Sequence, residues 1–334
     1  MKKVLSLTLA LLMIVSLLAT GAFAADAKYA WYFSAPHAYG TEVEGYAQQF
    51  AKDTGIDVKY MIGADWNQST EDANLRALVA EGYNNISVFP SSDGASGVFD
   101  ELGQQGVNVI TYGAATSAMT EKFCVATDVQ AAAQTAAEDV IKAMGGKGGI
   151  LNVLEVLSDT NTLKRKAGVE AAIAAHSGDV TLVQQVADIT SIDQGTQKIS
   201  AAISANPDKI NGIVCTGNVA SSAAVQVLND YYQRDPNAPK IYLICIDTPD
   251  DVMNGIKSGV VYGTIAQNTF AHGYIPLMIM QLMNDGYKKV DGTYFIDSGC
   301  VLVTKDNAET FKDDLQKVTD QIKADLTTKY LTKG

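Results

Sequence analysis

Histidine, paired cysteine and basic charge are all scarce in this chain. Only three of its 334 residues are histidines, and His37, His176 and His272 stand apart, with no H-E-x-x-H signature and no adjacent pair to hold a metal. The four cysteines, Cys124, Cys215, Cys245 and Cys300, are widely spaced without any C-x-x-C, which argues against a zinc site. Cys215 and Cys245 stand at the ends of what read as buried strands and are expected to be small core residues rather than a bridge. Neither a G-x-S-x-G elbow nor a G-x-x-x-x-G-K-[ST] loop occurs. The stretch Gly145-Gly146-Lys147-Gly148-Gly149 follows a helical segment and precedes a strand, the reverse of a phosphate cradle, and is expected to be a helix stop and turn. No metal and no cofactor is therefore expected. Acidic residues outnumber basic ones 37 to 25, which leaves no clustered cation for a nucleic-acid partner.

Long apolar runs are confined to the start of the chain. Lys2 and Lys3 precede an apolar stretch from Val4 to Leu18, and Ala22-Phe23-Ala24 places small residues at the −3 and −1 positions of a cut before Ala25. Residues 1–24 thus read as a secretory signal peptide, whose apolar run falls short of the ~20 residues needed to span a bilayer. No cysteine stands at the cut to carry a lipid. A soluble, exported protein is expected, most simply periplasmic. Loss of the two leader lysines leaves 23 basic residues against 37 acidic, a net charge of −14 over 310 residues, enough chain for two domains. The most apolar run beyond the leader, Ile275–Met283, is short and contains Pro276.

From residue 29 onward, β-branched and aromatic runs alternate with stretches of helical periodicity. Tyr29–Ser34, Asp57–Ile62, Asn85–Phe89 and Asn108–Tyr112 read as strands, with helices around Thr41–Thr54, Thr70–Glu81 and Gly97–Gln105. The pattern then restarts. Strands are expected at 149–156, 180–185, 212–215, 241–246 and 261–266, with helices near 162–175, 193–205, 219–232 and 249–258. A closing helix from about 307 to 330 carries Phe311, Leu315, Val318 and Ile322 as one apolar stripe. Alternation of this kind implies an α/β fold with parallel sheets, and the number of units suits two similar lobes better than one sheet.

Ligands of open parallel sheets bind beyond the carboxyl ends of the strands, so polar and aromatic residues there are the candidate site. After the first strand come Ser34, His37 and Tyr39; after the second comes Trp66, one of only two tryptophans in the chain. In the second half Asp159-Thr160-Asn161 and Arg165 follow a strand, with Asn161 at a helix entrance where asparagine is usually a cap. Gly217-Asn218, Asp247 and Gln267 occupy equivalent strand-end positions.

The order Asp159…Asn161…Arg165…Gly168, then Ile246-Asp247, then Thr264-Ile265-Ala266-Gln267, resembles the ribose/galactose-type periplasmic sugar-binding proteins of ABC importers. The resemblance runs from Tyr29 to about Asn307. It implies two flavodoxin-like, Rossmann-like three-layer lobes joined by three hinge crossings, the type I periplasmic binding protein fold. The lobes would comprise residues 25–127 plus 268–298 and 128–267 plus 299–334. It also implies that Arg165, Asp247 and Gln267 contact the ligand, with Asn161, Asn218 and an aromatic at Tyr39 as further contacts. Two features depart from ribose binders: Tyr112-Gly113-Ala114 stands where they carry an Asp-Arg pair, and Pro36-His37-Ala38-Tyr39 replaces their Asn-Pro-Phe-Phe-like loop. A different polyhydroxylated ligand is implied: another monosaccharide, a sugar alcohol, or a furanosyl signal such as an autoinducer.

The expected function is capture of that ligand by hinge closure, without catalysis, by a monomer that delivers it to ABC permease subunits. An alternative keeps the fold and makes it a sensor that docks on a chemoreceptor or a kinase ectodomain. A secreted hydrolase using His37 with Asp65 or Asp159 would need an activated nucleophile that the sequence does not supply.

Overall fold

The computed structural model of the protein describes residues 27–157 and 159–334; the expected leader, 1–24, lies outside the described residues. The first strand, β1 (Tyr29–Phe33), is apolar or aromatic at every position and buried along its whole length, as a central parallel strand covered on both faces must be. It is flanked by β2 (Val58–Ile62) and β3 (Asn85–Val88), and the sheet continues through β4 (Asn108–Tyr112) and β5 (Phe123–Ala126). A second sheet is built from β6 (Gly148–Val153), β7 (Val180–Val186), β8 (Gly212–Cys215), β9 (Tyr242–Ile246) and β10 (Gly263–Gln267). After the short β11 (Tyr287–Lys289), β12 (Phe295–Asp297) returns to the first sheet, parallel to β5. β13 (Cys300–Val303) then joins the second, antiparallel to β10. The strand orders are 2-1-3-4-5-12 and 7-6-8-9-10-13, and a final strand, β14 (Leu331–Lys333), pairs with β11.

Sheet membership shows where the chain changes lobe: between Ala126 and Val129, at Asn268, and between Asp297 and Cys300. Helix Val129–Ala143 packs against helix Thr160–Ala175 on the second sheet, whereas helix Thr269–Asn284 packs against Ala38–Thr54 on the first. The Ile275–Met283 run therefore belongs to a core helix. The closing helix, Phe311–Asp325, straddles both lobes: Phe311 and Leu315 enter the core of the second, Ile322 that of the first. Leu326 and Leu331 follow it into the first lobe, so the end of the chain, expected on the second, is shared between them. The stripe that predicted one helix could not show that its two halves face different cores.

Local chemistry sets the helix starts. Asp159 caps Thr160–Ala175 by accepting from the amides of Asn161 and Thr162 at 3.1 and 2.9 Å. The cap thus falls two residues before Asn161, whose side chain is left for another purpose. Gly145 and Gly146 adopt positive φ beyond helix Val129–Ala143, the expected helix stop. All four cysteines are free thiols, and Cys124, Cys215 and Cys245 are buried.

The helix pair over the second sheet touches through small residues, Ala132, Ala133 and Ala136 among them, and Gly168 faces the backbone of Gln130 and Gln134. A Cβ at Gly168 would lie 2.2 Å from the Gln130 carbonyl oxygen, a backbone atom that cannot swing aside. Gly168→Ala would gain about 1 kcal/mol in helix propensity. Overpacking costs about 1–3 kcal/mol, and against a fixed backbone atom about 2–3, so the net expectation is a loss of about 1–2 kcal/mol in urea unfolding. Unchanged stability would mean that the two helices separate freely.

Candidate ligand-binding site

The carboxyl ends of both sheets face one another across a cleft of about 440 Å³. Eight of the nine residues singled out in the sequence line it: His37, Tyr39, Trp66, Asn161, Arg165, Asn218, Asp247 and Gln267. Ser34 does not. It is fully buried and its hydroxyl donates to Glu71 Oε2 at 3.0 Å, because Glu71 lies buried behind the loop and needs donors. Glu71 also accepts from the Ser91 amide, and burial holds its carboxyl above the usual range.

The first lobe contributes an aromatic wall. Trp66 stands edge-on to Phe33 at 5.2 Å and to Phe89 at 5.8 Å, and His37 lies 6.4 Å from Trp66. Trp66 is 49% exposed, so one apolar face is uncovered in the cleft. The His37 ring accepts from the Tyr39 amide and so caps helix Ala38–Thr54; burial lowers its pKa from the usual 6.5, with Asp247 opposing. Tyr39 Oη meets His272 Nδ1 at 2.8 Å, and burial raises the phenol well above its ordinary value. Phe33 and Phe89 were assigned to strands in the sequence; their chain position, at or just past a strand end, was the available signal.

The second lobe contributes the polar wall. Asp247 directly follows β9 and has φ +66, a strained backbone for a residue other than glycine. Its Oδ1 accepts from Gln267 Nε2 at 2.7 Å, and Gln267 Oε1 in turn accepts from Arg165 Nη2 at 3.3 Å. Arg165 Nη1 donates to the Thr216 carbonyl at 3.1 Å, while its buried Nε has no partner among the described residues. The carboxylate, amide and guanidinium thus hold one another in place yet keep hydrogen-bonding capacity for something else. Asn161, not occupied as a cap, donates through Nδ2 to the Gly113 carbonyl at 2.9 Å, a direct bond from the second lobe to the first. Glu155, also in the lining, was missed because the sequence reading ran its strand to Val156, whereas β6 ends at Val153.

Behind Tyr39 lies a polar cluster at the crossings. His272 Nε2 meets Ser298 Oγ at 2.8 Å, and Ser298 Oγ lies 3.1 Å from Thr127 Oγ1. Asn268 Nδ2 donates to the Ser298 carbonyl and to Thr319 Oγ1 at 2.8 and 2.9 Å. Among the described residues no group of His, Cys, Asp and Glu is arranged to hold a metal, and no helix is long and apolar enough to cross a membrane.

Residues 31–288 match the family model for the periplasmic binding protein domain, and the chain belongs to that family. Among curated proteins, a xylitol-binding protein of Mycolicibacterium smegmatis is 23% identical over 262 residues, covering 78% of this chain and 72% of the relative. A Burkholderia graminis ABC transporter solute-binding protein in complex with D-arabinose superposes with a TM-score of 0.78 at 21% identity, covering 86% of this chain and 98% of that one. An Actinobacillus succinogenes solute-binding protein with bound D-allose gives 0.76 at 18% identity, covering 86% of this chain and all of that one. These matches agree with the two-lobed α/β fold and with the family resemblance read from the residues.

His272 provides a pH prediction. Burial lowers its pKa from 6.5 to about 3. The unfolded chain takes up this proton below pH 6.5 and the folded one only near 3, so stability is complete above that window and falls as pH drops through it. Between pH 7 and 4.5 the loss from this residue should be about 2–3 kcal/mol. Urea unfolding at both pH values should show a smaller drop for His272→Gln than for the wild type. Equal drops would show that His272 does not set this slope.

Proposed function

We propose that the protein is an extracytoplasmic solute-binding protein that captures a small neutral sugar or sugar alcohol between its lobes and delivers it to an ABC importer. The observation that carries this reading is the division of one cleft into an aromatic wall and a polar wall, each on a different lobe. A polyhydroxylated ligand has the same two characters: C–H faces that stack on aromatics and hydroxyls that both donate and accept. Asp247 accepts from hydroxyls, Arg165 and Asn161 donate to them, and Gln267 holds the first two in register. Hydrogen bonds made to both lobes inside a closed cleft favour the closed form, and that form is the one a permease would read. The sugar and polyol ligands of the similar proteins support the same class.

Binding without turnover fits the geometry. His37 accepts a helix amide and both Asp159 oxygens accept helix amides, so neither is arranged as a base beside a nucleophile. Export to the periplasm and action as a monomer complete the proposal.

A thermal-shift screen of the mature protein against pentoses, hexoses, pentitols and furanosyl signals tests it. A true ligand at about 100 times its Kd adds about 2.7 kcal/mol of stability, and no shift with any class would overturn the reading. Hydrogen bonds to charged groups contribute about 1.5–3 kcal/mol, so Arg165→Ala and Asp247→Ala should each weaken binding by roughly 10- to 150-fold while the proteins stay folded. Unchanged titration calorimetry would place the site elsewhere.

A further inference from the structure

Glu155 is the one charged group of the cleft to which the sequence reading assigned no role. It follows β6, is partly buried, and lines the cavity beside Gly217 and Asn218. Helix Asn218–Arg234 has Gly217 at its N-cap and so lacks a cap of its own. Glu155 supplies one from a different element: its Oε1 accepts from the amides of Val219 and Ala220 at 2.8 and 3.2 Å. Gly217 makes this possible, because a Cβ there would lie 2.3 to 2.5 Å from the Glu155 carboxylate atoms. Among the described residues no hydrogen bond reaches Glu155 Oε2, in a side chain that lines the cleft.

We propose that Glu155 is a ligand-reading acceptor of this site and that, together with Asp247, it makes the cleft select neutral polyols over their acidic counterparts. The inference rests on the sugar or polyol reading and deepens it. Oε1 fixes the carboxylate rigidly to a helix start, and Oε2 is left to take a hydroxyl proton. The cleft is lined by three carboxylates, Glu155, Asp159 and Asp247, and by a single guanidinium, Arg165. A ligand carboxylate or phosphate would enter an excess of negative charge with one cation, Arg165, to offset three carboxylates. A neutral ligand meets no such repulsion and supplies the donors that the carboxylates need.

The test measures, at pH 7, binding of xylitol and D-arabinose and of their acids, xylonate and arabinonate, to the mature wild type, Glu155→Gln and Glu155→Asp. Wild type should bind at least one neutral compound and its acid at least about 100-fold more weakly. Glu155→Gln can still accept from both helix amides but turns an acceptor into a donor. It should lose about tenfold in affinity for the neutral ligand and narrow the preference over the acid by about tenfold. Glu155→Asp keeps the charge, so its preference should persist although its affinity falls. Unchanged affinity and preference in Glu155→Gln would leave Glu155 a helix cap only and overturn the proposal, as would loss of the preference in Glu155→Asp. If the wild type binds neither neutral compound but does bind another sugar or polyol, the same three proteins are compared on that ligand and its acid. Binding of no neutral compound at all removes the sugar or polyol reading and this inference with it.

Discussion

The structure depends on the polar cluster that ties its three crossings together. Thr127, Asn268 and Ser298 come from three separate passages of the chain between the sheets, and their side chains and carbonyls bond one another within about 3 Å. These groups are buried, and a buried hydroxyl or amide without a partner costs on the order of 1–3 kcal/mol, so the three crossings stay bonded to one another. His272 joins the cluster to Tyr39 on the cleft, and burial keeps its imidazole neutral so that each ring nitrogen can serve a hydroxyl. Thr319, on the closing helix, joins through Asn268. The helix that is shared between the two cores is thereby anchored to the same point.

From that anchor the two lobes present unlike surfaces. The first has little capacity for hydrogen bonds at its wall, because Phe33, Trp66 and Phe89 occupy it and Ser34 is turned to Glu71. The second carries nearly all the charge. Neither surface is complete without the other: the aromatics alone would hold any apolar body weakly, and Arg165 with Asp247 would hold a hydroxyl in competition with water. Closing the cleft removes that water and strengthens each polar contact. The Asn161 bond to Gly113 shows that the lobes already touch at this point, between an amide released from capping and a carbonyl at the end of β4.

Much of this was legible in the residues. The strand-end rule located Tyr39, Arg165, Asp247 and Gln267, because a parallel sheet places its loops at one edge whatever the rest of the fold does. The same rule passed over Glu155 and Phe89, since it requires the strand end to the residue and periodicity places it only within a few. Phe123–Ala126, Phe295–Asp297 and Cys300–Val303 are strands by virtue of the neighbours they pair with in the sheets, and their own residues did not mark them out. His272 read as isolated because its partners, Tyr39 and Ser298, are 233 and 26 residues away in the chain.

The amino-acid sequence by itself determined the class of fold, the edge at which the cleft lies and most of the side chains gathered there. These follow from local periodicity and from strand order, which neighbouring residues encode. Only the tertiary structure decided which hydrogen bonds those side chains make. It turned Ser34 inward, released Asn161 from capping and gave Glu155 to a helix that begins 63 residues later. It also divided the closing helix between two cores. Each of these outcomes is a competition among distant groups for donors and buried surface, and no stretch of sequence contains both competitors.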